Sequence, residues 1–167
     1  MTHRVWLGLG SNRGEKQKHL ARALREIAAR GLGRLLKKSS LWRTEPVGMG
    51  PAEDFLNAAA LFETELEPDA FLQGLMEIET QLGRVRRDPA SPEPRTVDLD
   101  VLFWDDAIIE RPGLVVPHPR LHQRRFVLAP LGELTPDYLH PALGRTLRDL
   151  LDELRDPARA ERLDAEW

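Results

Sequence analysis

Apolar and polar positions along the chain follow two rhythms, one of strands and one of helices. Residues 5–10 are short, apolar and uncharged, the pattern of a buried strand. Ser11-Asn12 and Gly14 then signal a turn and a helix start. Leu20, Leu24 and Ile27 recur at helical spacing, which predicts a helix over about 15–30, closed by Gly31 and Gly33. Residues 39–44 read as a strand, 46–51 as a loop, and 55–65 as a second long strand. Pro68 and Asp69 open another helix, with a core face of Phe71, Leu75, Ile78 and Leu82 and an end at Gly83. Residues 84–94 carry three prolines and no period, so they read as a long loop. The cleanest alternation covers 96–104, where Val97, Leu99, Val101 and Phe103 face one way and Thr96, Asp98, Asp100 and Leu102 the other. Asp105-Asp106 turns the chain into Ile108-Ile109, and residues 117–125 are irregular and basic. Segments 126–134 and 146–154 read as helices, and the residues from about 156 onward as a polar tail. Strands mixed with sizeable helices predict a sandwich of one sheet with helices packed on it.

Composition narrows the function classes. A length of 167 residues fits one domain over 1–167, and no repeat or linker divides it. There is no cysteine, which excludes disulfides, thiolate nucleophiles and cysteine metal sites. A formal charge of −3 does not make a general trap for nucleic acid or anionic membrane. No apolar run approaches the ~18–20 residues that span a bilayer, and no signal peptide is visible, so the expectation is a cytoplasmic protein.

Two familiar nucleotide motifs fail. Gly8-Leu9-Gly10 starts like a dinucleotide fingerprint, but Arg13 stands where the third glycine belongs, and Leu9 and Glu15 break a P-loop reading around Gly14. The strongest chemical feature is Asp98-Leu99-Asp100. Residues two apart on a strand project from one face, roughly 6.5–7 Å apart, and two carboxylates there repel each other until a divalent cation joins them. Oxygen-only ligands favour Mg²⁺ over zinc. The same spacing also fits an exposed face with two solvated acids. Arg84, Arg86, Arg87 and Arg95 precede this strand, and His118, Arg120, His122, Arg124 and Arg125 follow it. Guanidinium forks suit phosphate oxygens, although each arginine alone is equally a surface ion-pair partner. Trp42, Phe55 and Phe126 offer rings for a flat heterocycle, with Thr44 and Asn57 as hydrogen-bonding partners, but aromatics at such positions are more often core.

Read together, several runs resemble a known family. They are Gly10-Ser11-Asn12, Arg43-Thr44 with Pro46 and Gly48, Phe55-Leu56-Asn57-Ala58-Ala59, Gly83-Arg84-Val85-Arg86, Pro94-Arg95-Thr96-Val97-Asp98-Leu99-Asp100, and Pro117-His118-Pro119-Arg120 through Arg124-Arg125-Phe126. In this order they resemble the 6-hydroxymethyl-7,8-dihydropterin pyrophosphokinases of folate biosynthesis, over about residues 5–150. The resemblance implies an α+β, ferredoxin-like α/β/α sandwich with one mainly antiparallel sheet and helices on both faces. It implies transfer of the β,γ-pyrophosphoryl unit of ATP to the pterin hydroxymethyl oxygen, releasing AMP. Asp98 and Asp100 then hold two Mg²⁺ ions and act in catalysis with Arg84 and Arg95. Arg84, Arg86, Arg95, Val101, His118 and Arg124 engage ATP. Phe55 and Phe126 sandwich the pterin, which is hydrogen-bonded near Thr44, Val47 and Asn57. The expected partners are these small molecules, without nucleic acid or membrane, and the expected state is a monomer.

The chain departs from the family at Ser91-Pro92-Glu93, where relatives carry a basic and an aromatic residue followed by glycine. Pro89, Pro92 and Pro94 predict a stiffer lid there, dependent on Arg84, Arg86 and Arg95. Two rival classes use the same residues differently. A metal-dependent hydrolase would send water to the phosphate, and a nucleic-acid module would place aromatic and basic residues on its central strands, where Asp98 and Asp100 stand here.

Overall fold

The computed structural model describes residues 1–45, 54–83 and 96–167. The predicted loops at 46–51 and 84–94 lie outside the described residues, and with them Val47, Arg84, Arg86, Arg87 and Arg95 and the expected stiff lid.

The chain runs through β1 (His3–Ser11), α1 (Lys16–Ala29), β2 (Arg34–Lys38), β3 (Trp42–Thr44), β4 (Phe55–Thr64), α2 (Pro68–Gln81) and β5 (Asp98–Trp104). A small hairpin follows, β6 (Ile109–Arg111) and β7 (Leu114–Val116), then a 3-10 turn at Leu121–Gln123. The remaining elements are α3 (Arg125–Leu134), α4 (Leu147–Glu153) and β8 (Ala160–Arg162). The main sheet has the order β5-β1-β4-β3-β8, with β2 also on β4. All its described pairings are antiparallel. Strand-helix-strand-strand-helix-strand with β1 and β4 in the centre is the ferredoxin-like arrangement.

Strand alternation builds the layers. Val5, Leu7 and Leu9 of β1 and Ala58, Ala60 and Phe62 of β4 meet Leu20, Leu24 and Ile27 of α1 and Phe71, Leu75 and Ile78 of α2. On the opposite face, Trp6, Ala59 and Leu61 meet Leu128, Leu131 and Leu134 of α3 and Leu147 and Leu150 of α4. Each large aliphatic or aromatic side chain so buried contributes roughly 1.5–3 kcal/mol. The predicted helices stand on both faces, as expected.

Four expectations need correction. The strand expected at 39–44 covers only 42–44. At Ser39 only half of the backbone pairing with β4 remains: its N–H donates to the Ala59 carbonyl at 2.9 Å, while its hydroxyl accepts the Ala59 N–H at 2.8 Å and donates to the Ser40 carbonyl at 2.8 Å. Strand β2 was not predicted, since its residues are mostly exposed and charged and carry no alternation. The clean alternation over 96–104 breaks near its end. The β1–β5 register slips between Trp6 and Leu7, so Leu102 and Phe103 both fall on the α3 face. Phe103 therefore packs opposite to expectation, while Trp104 returns to the other core. Finally, the expected polar tail is an ordered strap. Its β8 pairs with β3, Leu163 N–H donates to the Leu41 carbonyl at 2.8 Å, and Trp167 Nε1 donates to the Ser39 carbonyl at 2.9 Å.

One buried histidine gives the fold a pH dependence. His140 is almost fully buried, and its Nδ1 accepts from the N–H groups of Ala142 and Leu143 at 3.1 and 3.0 Å. Burial, with a smaller contribution from His122, lowers its pKa. The unfolded chain then binds more protons in the window from the ordinary value of about 6.5 down to the lowered one, so stability is lost as pH falls through that window. Denaturant midpoints should fall between about pH 7 and pH 5. His140→Asn, which keeps an acceptor but does not titrate, should flatten that slope. An unchanged slope in the variant would refute the assignment.

Candidate active site

Helices α3 and α4 cover only part of their face of the sheet. Beyond them lies a cavity of about 620 Å³, the size of a small-molecule site. Its floor follows from strand register. Gly10 of β1 pairs with Asp98 on one side and Asn57 on the other, and Gly8 pairs with Asp100 and Ala59. Paired residues share a face, so Asp98, Gly10 and Asn57 form one row across three strands. With strands ~4.8 Å apart, the row leaves a trough about 10 Å wide without a side chain between the carboxylate and the amide. The Gly-Leu-Gly run that failed as a nucleotide fingerprint is the bare floor of this trough.

Asp98 and Asp100 project into the cavity from the same face of β5, as the period-two spacing predicts. Beneath them the N–H of Leu99 donates 3.0 Å to the Oε2 of Glu79, a buried carboxylate on α2. This contact ties the outer edge of β5 to the helix. The other wall is the start of α3. Arg124, Phe126 and Val127 line the cavity, joined by Arg120 and Gln123 from the preceding turn. The Arg124 guanidinium lies 5.5 Å from the centroid of the Phe126 ring. Burial, then Arg120, lowers the Arg124 pKa, while Asp100, Asp98 and Asp156 raise it. Phe55, Thr44 and Asn57 complete the lining from β3 and β4, with the Asn57 amide donating to the Thr44 hydroxyl.

The remaining candidates lie elsewhere. His118 is half-buried beside the cavity, its Nδ1 accepting the Arg120 N–H at 3.3 Å. Burial lowers its pKa, followed by Arg124, with Asp98 opposing. The Val101 side chain points into the α1/α2 core, on the opposite face from Asp98 and Asp100. Trp42 turns away to donate from Nε1 to Glu133 at 3.0 Å. His122 faces His140 with ring centroids 6.4 Å apart, and Arg125 bonds the Asp156 carbonyl at 3.2 Å. Sequence reasoning missed the role of Gly8 and Gly10, and it missed Asp156, which lines the cavity from the C-terminal strap. Asp156 sits in a segment without periodicity and gave no signal.

Among the described residues no group of three or more His, Asp or Glu side chains is arranged to hold a metal. Among the described residues the carboxylates paired on one strand face of the cavity are Asp98 and Asp100. Such a set fits Mg²⁺, which completes its shell with water and phosphate oxygens, and does not fit a closed structural zinc. Among the described residues no helix is long and apolar enough to cross a membrane.

The family model for 7,8-dihydro-6-hydroxymethylpterin-pyrophosphokinase (HPPK) matches residues 6–136. The chain belongs to this family. As an HPPK it is a pyrophosphokinase of folate biosynthesis. It is 41% identical over 161 residues to the 2-amino-4-hydroxy-6-hydroxymethyldihydropteridine pyrophosphokinase of Methylorubrum extorquens, covering 96% of this chain and 99% of that one. The enzyme of the same name from Bacillus subtilis is 39% identical over 134 residues, covering 80% and 79%. In fold the chain is similar to an HPPK-DHPS structure from Plasmodium falciparum, with a TM-score of 0.74 at 16% identity. That match covers 92% of this chain but spans only 45% of the other.

The row geometry makes Gly10 a sensitive position. A Cβ there would stand 2.9 Å from Asn57 Oδ1 and 3.8 Å from the Phe55 ring. Asn57 is buried and bonded to Thr44, so it can yield only by giving up that bond. If Asn57 holds the heterocyclic substrate, as the resemblance implies, Gly10→Ala should weaken its binding by about tenfold, one lost hydrogen bond with its desolvation, while ATP binding changes less. Calorimetry on both ligands checks this, and equal losses would refute it.

Proposed function

We propose that this HPPK binds ATP and 6-hydroxymethyl-7,8-dihydropterin side by side in the 620 Å³ cavity and transfers the β,γ-pyrophosphoryl unit of ATP to the pterin. The observation that carries this reading is the cavity lining. A carboxylate pair and the guanidiniums of Arg120 and Arg124 share one hollow with Phe55, Phe126, Asn57 and Thr44. The first group suits a magnesium triphosphate, the second a flat hydrogen-bonding ring.

In this reading Asn57 and Thr44 read the edge of the pterin and Phe55 and Phe126 stack on its faces. The hydroxymethyl oxygen attacks the β-phosphorus; the new O–Pβ bond forms as the bond from Pβ to the oxygen shared with the α-phosphate breaks, and AMP leaves. Asp98 and Asp100 would hold two Mg²⁺ ions, which supply charge neutralisation between carboxylates and triphosphate. Arg124 and Arg120 stabilise charge growing on the phosphate oxygens, assisted by Arg84, Arg86 and Arg95 of the loop and by His118. Val101 would contribute through its backbone, since its side chain is in the core. The hydroxyl proton passes to solvent, and since this reading assigns no general base among the described cavity residues, the rate comes from positioning and electrostatics. The same reading carries a monomeric cytoplasmic enzyme that takes neither nucleic acid nor membrane as a partner.

The test is a product assay with ATP, 6-hydroxymethyl-7,8-dihydropterin and Mg²⁺. AMP and the pterin diphosphate should appear together and only when pterin is present. Inorganic phosphate released without pterin would instead favour a hydrolase.

A further inference from the structure

Helix α3 carries Arg124 and Phe126 into the cavity; the Arg124 carbonyl accepts the Val127 N–H at 3.1 Å, but the helix supplies no side-chain cap of its own. Arg124 at the N-cap makes no side-chain capping bond, and no acidic residue stands in the first turn. Helix starts leave four N–H groups without intrahelical partners, and a side-chain cap ordinarily takes one of them. The partner comes instead from more than thirty residues downstream. Asp156 Oδ2 accepts the Arg125 N–H at 2.9 Å, an interaction across 31 residues. Its other oxygen accepts the Ala158 N–H at 3.0 Å, and its own carbonyl accepts from Arg125 Nη2 at 3.2 Å. The aspartate is thus fixed on three bonds. It lines the cavity, and it is one of three carboxylates whose charge favours the protonated Arg124.

The segment that carries Asp156 continues into β8, which pairs with β3 at Trp42, Arg43 and Thr44. The strap therefore holds both sides of the hollow assigned to the pterin: Thr44 through β8 and Phe126 through Asp156. We propose that Asp156 is a positioning residue for the transfer reaction, capping α3 from the C-terminal strap so that Phe126 and Arg124 stand correctly for pterin and triphosphate. This rests on the reading that the pterin stacks on Phe126.

The experiment compares Asp156→Ala, Asp156→Asn and Phe126→Ala. Pterin Kd is measured by calorimetry with Mg²⁺ and a non-hydrolysable ATP analogue, at a temperature where every variant is folded. Hydrogen exchange at the Arg125 amide is followed in the ligand-free protein. Asp156→Ala should raise the pterin Kd about five- to tenfold, the equivalent of one lost cap, and speed exchange at Arg125. Asp156→Asn, which keeps a side-chain acceptor, should restore slow exchange and most of the affinity. A purely structural role would lower the melting temperature of Asp156→Ala and leave its pterin Kd at the wild-type value, and that result overturns the inference. Asn behaving like Ala also overturns it. If Phe126→Ala leaves pterin binding intact, the stacking reading itself falls, whatever Asp156 does.

Discussion

Asp98→Ala should reduce kcat by on the order of a thousandfold or more while the protein keeps its melting temperature within a few degrees. The reason lies in where the side chain stands. Asp98 is on an edge strand, is partly exposed, and faces the cavity rather than either core. Its backbone stays paired with Gly10 whatever the side chain is. A polar truncation at such a position rarely unfolds a domain. On the proposed reading, what is lost is half of the carboxylate pair that would join a triphosphate to the sheet through magnesium. Asp100→Ala should behave alike, and the double variant should be scarcely worse than either single one, because the pair acts as a unit. Steady-state kinetics over a range of Mg²⁺ decide the matter. Near-normal turnover by Asp98→Ala at ordinary Mg²⁺ would remove the metal assignment.

Phe126→Ala should raise the pterin Kd by roughly tenfold to a hundredfold, with a smaller effect on ATP. An aromatic stacking contact contributes about 0.5–1.5 kcal/mol beyond its buried area, and the apolar area of the ring adds more. The effect on ATP is not zero, because the ring also carries the Arg124 guanidinium on its surface. Removing the ring frees that arginine to sample other rotamers. Phe126→Leu should recover part of the buried area and none of the stacking, which separates the two contributions. Equal losses for both ligands would mark Phe126 as a packing residue.

The parts of this molecule legible in the sequence are those where one local rule decided the outcome. Strand β1 and helices α1 and α2 show strong periodicity and were read within a few residues. The two aspartates were placed on one face by spacing alone. What escaped was set by partners distant in the chain. Strand β2 has no apolar face of its own and exists because β4 offers it hydrogen bonds. The register slip opposite Trp6 turns Phe103 over without any turn residue to announce it. The C-terminal segment looks like a polar tail because its anchoring runs through backbone groups and through Leu163 and Trp167, too sparse for a period. Asp156 escaped for the same reason, since a cap supplied from 31 residues away leaves no capping box to find.

The glycine floor of β1 separates two properties that usually move together. Asp98 and Asn57 are spaced by main-chain bonds to Gly10, not by side chains wedged between them. The side chains that hold the sheet to α1 and α2 point the opposite way, from Leu7 and Leu9. Thinning that distant layer, for instance at Leu24 or Ile27, should drain stability while the surviving folded molecules bind with unchanged affinity. On the proposed reading, the stability supplied by the α1/α2 layer can then drift or be engineered without disturbing the row of Asp98, Gly10 and Asn57, whereas changes in the α3/α4 core on the cavity side would touch both.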